Sequence, residues 1–366
     1  MDEELFYRLA LLNVVGIGSI TAKRLIEYFG SAKAVFVASP KEILHVNKIG
    51  ETLLKNLSNA VPLQLAEVQL AHIRTNNINV ISYEDSNYPY LLGQCEDAPL
   101  FLFSTGLFDF SDRKIISIIG TRNPSGRGVA FCEKLIDDLR EFNPVIVSGL
   151  AYGVDVCAHN AALNCGLDTC AVLGHGLERI YPEKHMAIAN KIKDNGALLT
   201  EFNWDSKIDR ENFIQRNRIV AGMSQATIVI ESAIKGGSMS TVRFANDYNR
   251  DVFAVPGRVT DIMSQGCNEI IRSNRGQLLC SATDIIEALN WNHKERKAKS
   301  IQPQLFLDLS NEEQKVYDYL KEQGKEVIDF IALASELPIY KVSSILLELE
   351  LKGLVRPLPG KYFELY

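Results

Sequence analysis

The rhythm of apolar and polar positions changes twice along this 366-residue chain. Over residues 1 to about 75, apolar side chains recur every three or four positions, as in LFYRLALLN, ITAKRLIEYFG and AEVQLAHIRTNN, which predicts amphipathic helices and no strands. From about 80 to 290, short runs that are apolar at consecutive positions alternate with amphipathic stretches. KIISII, PVIVS, TCAVLG, ALLTEF, ATIVIE, DVFAVP and QLLCS read as strands. In VAFCEKLIDDLREF, the residues Val129, Cys132, Leu135, Ile136 and Leu139 fall on one helical face. Strands apolar on both faces and separated by helices predict an α/β domain with a doubly wound, Rossmann-like parallel sheet. Its ligands are expected where loops leave the carboxyl ends of the strands. After Trp291, the charged and aperiodic NHKERKAKSIQPQ reads as a linker. The remaining residues give helix, helix and a longer helix, opened by a capping box of Ser310 with Glu313 and closed by LVRPLPGKYFEL as a two-stranded wing around a Pro-Gly turn. That is a winged-helix pattern, although its longest helix, YKVSSILLELELKG, is mostly apolar or acidic. The expected divisions are a helical helix-hairpin-helix-like domain over 1–78, the Rossmann-like domain over 79–290, the linker over 291–305 and the winged helix over 306–366.

Composition narrows the class. With 46% hydrophobic and 23% charged residues the chain is globular. The opening MDEELFYRLALLN is acidic and lacks the basic region and long apolar run of a signal peptide, so a cytoplasmic location is expected. Seven scattered cysteines without a CxxC pair fit free thiols better than disulfides or zinc. A net charge of −6 argues against a basic surface all over the molecule, but not against a local basic groove.

Two sets of motifs carry candidate chemistry. In the helical region, VVGIGSITAKRLIEYFG has the helix-hairpin-helix form, with a Gly-Ile-Gly turn leading into a helix whose first amides could hold a phosphate oxygen. NKIGETLLKNL is a weaker second copy, and glycines that merely permit a tight turn explain both equally well. In the central region, GTRNPSGRG follows the first strand, SGLAYGVDVCAHNAAL the second, and NFIQRNRIVAGMS and ESAIKGGSMSTVRFA flank the fifth. The strand-following loops place Gly or Ser before a helix N-terminus, which predicts a row of anion sites along one sheet edge.

Cofactor fingerprints fit poorly. A dinucleotide site wants G-x-G-x-x-G and an acid after the second strand, where this chain has Ser148 and Gly149. A P-loop wants G-x-x-x-x-G-K-[ST], and GTRNPSGRG has one residue too many and no lysine. Asp155, His159 and Glu231 suggest acid-base chemistry, but no serine or cysteine stands as a nucleophile beside a base, and His175 and His185 lack metal-ligand spacing. A polymer explains more residues: Thr121, Arg122, Arg127, Lys184, Gln215, Arg216, Arg218, Lys235, Ser238, Thr241 and Arg243 all fall in loops or helix starts. Tyr152, Phe202, Trp204 and Phe213 are interleaved with them, as suits the phosphates and exposed bases of a single strand. Phe213 is the aromatic expected to stack, whereas Phe202 is expected in the core. Two other readings remain open: a nucleoside-monophosphate phosphoribohydrolase using Glu231 and IESAIKGGSMST, and a structural adaptor.

Taken together, GTRNPSGRG, SGLAYGVDVCAH, AVLGHGLERIYP, RNRIVAGMS, GGSMSTVRFA, DVFAVPG and GCNEIIRSNRG resemble, in order and spacing, the DNA-processing protein A (DprA, also called Smf) family. The resemblance implies a non-enzymatic protein that binds single-stranded DNA without a nucleotide cofactor, usually as a homodimer. It implies delivery of incoming strands to the RecA recombinase during natural transformation, displacing or sharing the strand with single-strand-binding protein. Its G-[ST]-R turn corresponds to Gly120, Thr121 and Arg122, its RNR segment to Arg216 and Arg218, and the small residues of its SGS turn to Gly237 and Ser238. With Arg127, Lys184, Phe213, Gln215, Thr241 and Arg243 these make up the expected DNA-binding set. Gly236-Gly237-Ser238 departs from Ser-Gly-Ser, and YPEKH departs from YPxxN at Lys184.

Overall fold

The computed structural model describes residues 2–106, 108–292, 309–352, 354–358 and 361–365. Nearly all of the expected linker, and the Pro359-Gly360 turn of the wing, lie outside the described residues. The chain forms two compact units, Met1–Trp291 and Asn292–Tyr366.

The first unit opens with helices α1 (Asp2–Asn13), α2 (Ser19–Phe29), α3 (Ala32–Val37), α4 (Pro40–His45), α5 (Glu51–Leu57) and α6 (Val61–Thr75). Both expected hairpins form, α1 to α2 through Gly16 at φ +93° and α4 to α5 through Lys48 at φ +67°. Their core, including Leu9, Leu11, Leu25 and Val35, continues onto Leu100, Phe101 and Phe103, so the helices pack directly on the adjoining sheet.

That sheet has nine strands: β1 (Asn79–Ser82), β2 (Phe101–Thr105), β3 (Ile115–Ile119), β4 (Val145–Ser148), β5 (Thr169–Val172), β6 (Gly196–Thr200), β7 (Ala226–Val229), β8 (Asp251–Ala254) and β9 (Gln277–Leu278). Their order is β1-β2-β6-β5-β4-β3-β7-β8-β9. All seven strands read from the sequence are present and mutually parallel, and β1 and β2 extend the sheet antiparallel at the β6 edge. In β3, Ile115 and Ile119 face one core while Ile116 and Ile118 face the other, so the run has no solvent face. The connecting helices are α7 (Tyr90–Gly93), α8 (Gly126–Asp138), α9 (Val154–Asn164), α10 (Met186–Asp194), α11 (Arg210–Gly222), α12 (Ser238–Asp247), α13 (Ile262–Arg272) and α14 (Ala282–Ala288). Helix α8 buries Cys132, Leu135 and Ile136 on the predicted face, followed by Leu139 at its C-cap.

The second unit contains α15 (Asn311–Gln323), β10 (Lys325–Val327), α16 (Ile328–Ser335), α17 (Ile339–Leu351), β11 (Val355–Leu358) and β12 (Tyr362–Leu365), with strand order β10-β12-β11. This is the winged-helix arrangement with one strand, β10, added to the wing. The capping box forms: Ser310 N–H donates to Glu313 Oε2 at 2.8 Å, and Glu313 N–H donates to Ser310 Oγ at 3.3 Å. Lys352 completes it at 2.5 Å from Glu313 Oε1, and its hydrogen bond holds the Glu313 carboxyl down at about 2. Helix α17 exposes Tyr340, Leu347, Glu348 and Leu351. No single described helix is long and apolar enough to cross a membrane.

Candidate nucleic-acid interface

The sheet order places the topological switch between β3 and β7, because the chain winds outward from β3 through β4, β5 and β6 and then returns to β7 on its other side. Ligands of doubly wound sheets sit at that point. Here the loops after β3, β4 and β7 are locked together by main-chain bonds. Thr121 N–H donates to the Glu231 carbonyl at 2.7 Å, and Val154 N–H donates to the Thr121 carbonyl at 3.1 Å. Two glycines permit this approach. A Cβ on Gly153, at φ +82°, would lie 2.3 Å from the Thr121 oxygen, and one on Gly120 would lie 2.6 Å from Val154 Cγ2. Between them Leu150, buried at φ +57°, holds a backbone conformation costly for a branched side chain.

The row of open helix ends expected from the sequence is not what forms. At the start of α8, Ser125 Oγ accepts from Gly128 N–H at 3.1 Å, and the Glu231 carboxylate takes Ser125 N–H at 2.8 Å and Ser125 Oγ–H at 2.5 Å. An internal carboxylate therefore already occupies that end. The first amide of α9 is spent on Thr121. Helix α12 begins at Gly237 without a side-chain cap, while Ser238 is buried with its hydroxyl 2.7 Å from that of Ser232. Thr241 is buried one turn further on.

The basic residues separate into two groups. Arg122, Arg127, Lys184, Lys235 and Arg243 are exposed. Among the described residues, the Arg122 guanidinium makes no hydrogen bond or ion pair, and its charge acts on Arg216 beneath it. Arg127 lies 3.7 Å from Asp261, which brings the loop carrying Arg258 to the same edge. Lys184 is held near the β4 loop by its neighbour His185, whose Nδ1 lies 2.8 Å from the Leu150 carbonyl oxygen. Arg243 stacks over Phe244 at 5.2 Å.

Arg216 and Arg218, expected to meet phosphate, are instead inside the fold, 4% and 7% exposed. Arg216 donates from Nη1 to the carbonyl oxygens of Gly149, at 2.7 Å, and Val172, and from Nε to Asn217 Oδ1 at 3.1 Å. It thereby ties α11 to the ends of β4 and β5. Buried Asp155 holds the same turn from the other side, accepting from Gly149 N–H at 3.2 Å and Ala151 N–H at 3.3 Å. Burial lowers the Arg216 guanidinium to about 10, against the attraction of Asp155, and raises the Asp155 carboxyl against that of Arg216. Both groups stabilise the platform from below. Arg218 bonds the buried Glu201 carboxylate and donates to the Asp97 carbonyl at 2.5 Å, and burial pushes Glu201 up to about 7.

Phe213 is half-buried against Gly174, 5.7 Å from the Tyr181 ring and 6.4 Å from His175. Tyr181 and Tyr152 are the more open rings at 44% and 41%. Trp204 stacks on His72 at 4.5 Å and is thereby engaged with the N-terminal helices. Gln215 is exposed but lines a cavity beside α2 together with Phe202. Sequence reasoning did not single out Tyr181 or Arg258. Their signal was position alone, in the turns after β5 and β8. His159 is fully buried, 2.7 Å from Thr169 Oγ1, and burial drives it down to about 3, as suits a neutral structural histidine.

Comparison with known proteins agrees with this geometry. Residues 79–290 match the model of the family "DNA recombination-mediator protein A", and residues 302–361 match the DprA winged helix domain. Protein Smf of Synechocystis is 29% identical over 400 residues, covering 99% of each chain. The crystal structure of DNA processing protein A from Streptococcus pneumoniae superposes with a TM-score of 0.63 at 30% identity, covering 77% of this chain and 97% of that one. The Helicobacter pylori DNA processing protein A, described for its single-stranded DNA binding mode, gives a TM-score of 0.53 at 29% identity over 58% of this chain and 95% of its own.

Proposed function

Because the chain belongs to the DNA recombination-mediator protein A family, we propose that it binds single-stranded DNA across the carboxyl edge of its parallel sheet and passes the strand to a RecA recombinase. The observation that carries this reading is Arg122. Among the described residues it is an exposed guanidinium without a hydrogen bond or ion pair, on a loop fixed by backbone bonds to two neighbouring loops, with Arg127 and Lys184 exposed after β3 and β5. Exposed cations on loops of one sheet edge, together with the open rings of Tyr152 and Tyr181, suit a flexible polyanion with stackable bases. The single-strand binding described for the Helicobacter pylori relative supports the same assignment. In this reading the protein needs neither catalysis nor cofactor, and against the hydrolase alternative the Glu231 carboxylate, which a phosphoribohydrolase would need free, binds Ser125.

In this role the protein protects incoming strands in the cytoplasm during natural transformation and homologous recombination, sharing them with single-strand-binding protein. It works as a homodimer, with β8, β9 and their loops as the pairing surface. The test is RecA-driven strand exchange on DNA pre-coated with single-strand-binding protein. Wild type is expected to shorten the lag and Arg122→Glu to leave it unchanged. An equal effect of both proteins would refute the reading.

A further inference from the structure

Helix α17 is an element that the sheet-edge site leaves unused. With α16 it forms a helix-turn-helix pair, in which the second helix is the one that lies in the major groove when such folds bind DNA. Here that helix is apolar on two sides. Val342, Ile345, Leu346 and Leu349 are buried in a core shared with Val316, Leu320 and Ile331. On the opposite side Tyr340, Leu347 and Leu351 are 76%, 56% and 81% exposed. At 3.6 residues per turn these three positions fall within about 40° of one another and run along about 16 Å of helix. A helix that is apolar all round is ordinarily covered all round, and a stripe of exposed apolar side chains marks a face that meets a partner.

The flanks of the stripe are acidic. Glu348 and Glu350 stand about 80° to either side of it, and among the described residues neither side chain has a hydrogen bond or ion pair. The neighbouring lysines are engaged, Lys341 with Glu312 and Lys352 with Glu313. Open carboxylates on both flanks repel the phosphates that a groove-bound helix must approach. A second copy of the same face would bring the same open carboxylates and the same engaged lysines. The complement of this surface is therefore apolar along its middle and basic along both edges.

We propose that the outer face of α17 docks a basic amphipathic helix of a partner protein, whose apolar stripe covers Tyr340, Leu347 and Leu351 and whose lysines or arginines meet Glu348 and Glu350. The apolar stripe supplies most of the affinity, because exposed ion pairs are individually weak. The carboxylates choose which helix is accepted, as flanking charges do between paired helices. The face belongs to the second unit and is independent of the single-strand reading of the first.

The test uses labelled, stapled helical peptides of about 14 residues and the full chain, read by anisotropy. One peptide carries a leucine stripe flanked by lysines, a second the same stripe flanked by glutamates, and a third the lysine peptide in scrambled order, with equal charge and no stripe. Wild type is expected to bind the lysine-flanked helix about ten-fold or more tighter than either of the others. Leu347→Gln combined with Leu351→Gln is expected to lose about ten-fold of that affinity at an unchanged melting temperature, since both side chains are exposed. Glu348→Lys combined with Glu350→Lys is expected to prefer the glutamate-flanked helix. No binding of the lysine-flanked helix at millimolar peptide, equal binding of its scrambled form, or an affinity indifferent to both double substitutions would overturn the inference. Loss of duplex oligonucleotide binding in the leucine variant, with its peptide affinity intact, would assign the face to nucleic acid and overturn it as well.

Discussion

Arg216→Met separates a platform role from a DNA-contact role for the buried arginine. Methionine keeps most of the side-chain volume but removes the donors to the Gly149 and Val172 carbonyls. It also leaves buried Asp155 without its nearest compensating charge. Breaking a buried charged network from one side costs about 3–5 kcal/mol. In a unit of this size each kilocalorie corresponds to about 2–4 °C in melting temperature, so a fall of roughly 10 °C is expected. Arg122→Met, on an exposed residue without partners among the described residues, is expected to leave the melting temperature within about 1 °C and to weaken single-strand binding. Thermal unfolding followed by circular dichroism, paired with anisotropy on the same samples, gives both quantities. If Arg216→Met melted with the wild type while losing DNA affinity, the guanidinium would be a direct contact and the platform account would be wrong.

Further outcomes follow from the same geometry. Gly149→Ala would set a methyl group 2.4 Å from Arg216 Nη2, and is expected to cost about 1–3 kcal/mol in urea unfolding. His159 has its folded value lowered from 6.5 to about 3, so the stability of its neutral form is complete above pH 6.5 and is lost as pH falls toward 3. The unfolding free energy from urea titrations should drop across that window by up to about 1.4 kcal/mol per pH unit, and His159→Leu should flatten the slope. Glu231→Gln loosens the grip on Ser125 and is expected to weaken single-strand binding several-fold, while neither protein releases adenine from AMP; base release by the wild type that vanished in the variant would favour the hydrolase instead.

The central strands were legible because each is a short apolar run followed by an amphipathic helix, the signature of a parallel sheet. Strands β1, β2 and β10 were not. Asn79–Ser82 and Lys325–Val327 are short and only partly buried, and the first two strands pair antiparallel at an edge, outside any strand-helix alternation. The loops of the site were legible from chain order, since all of them leave carboxyl ends of neighbouring strands. The fate of individual arginines was not. Arg216 is buried because carbonyls 67 and 44 residues away in sequence converge on it, and nothing local to RNR distinguishes a clamped guanidinium from an open one. Likewise the occupied end of α8 depends on Glu231, 106 residues from Ser125.

Salt-titrated anisotropy of wild type and Arg122→Gln on a single-stranded oligonucleotide and its duplex tests the central claim most directly. The account predicts tighter binding to the single strand, a linear fall of log affinity with log salt, and a slope shallower by about 0.7 in Arg122→Gln for one lost phosphate contact. Equal affinity for duplex and single strand, with a slope unchanged by the substitution, would contradict it.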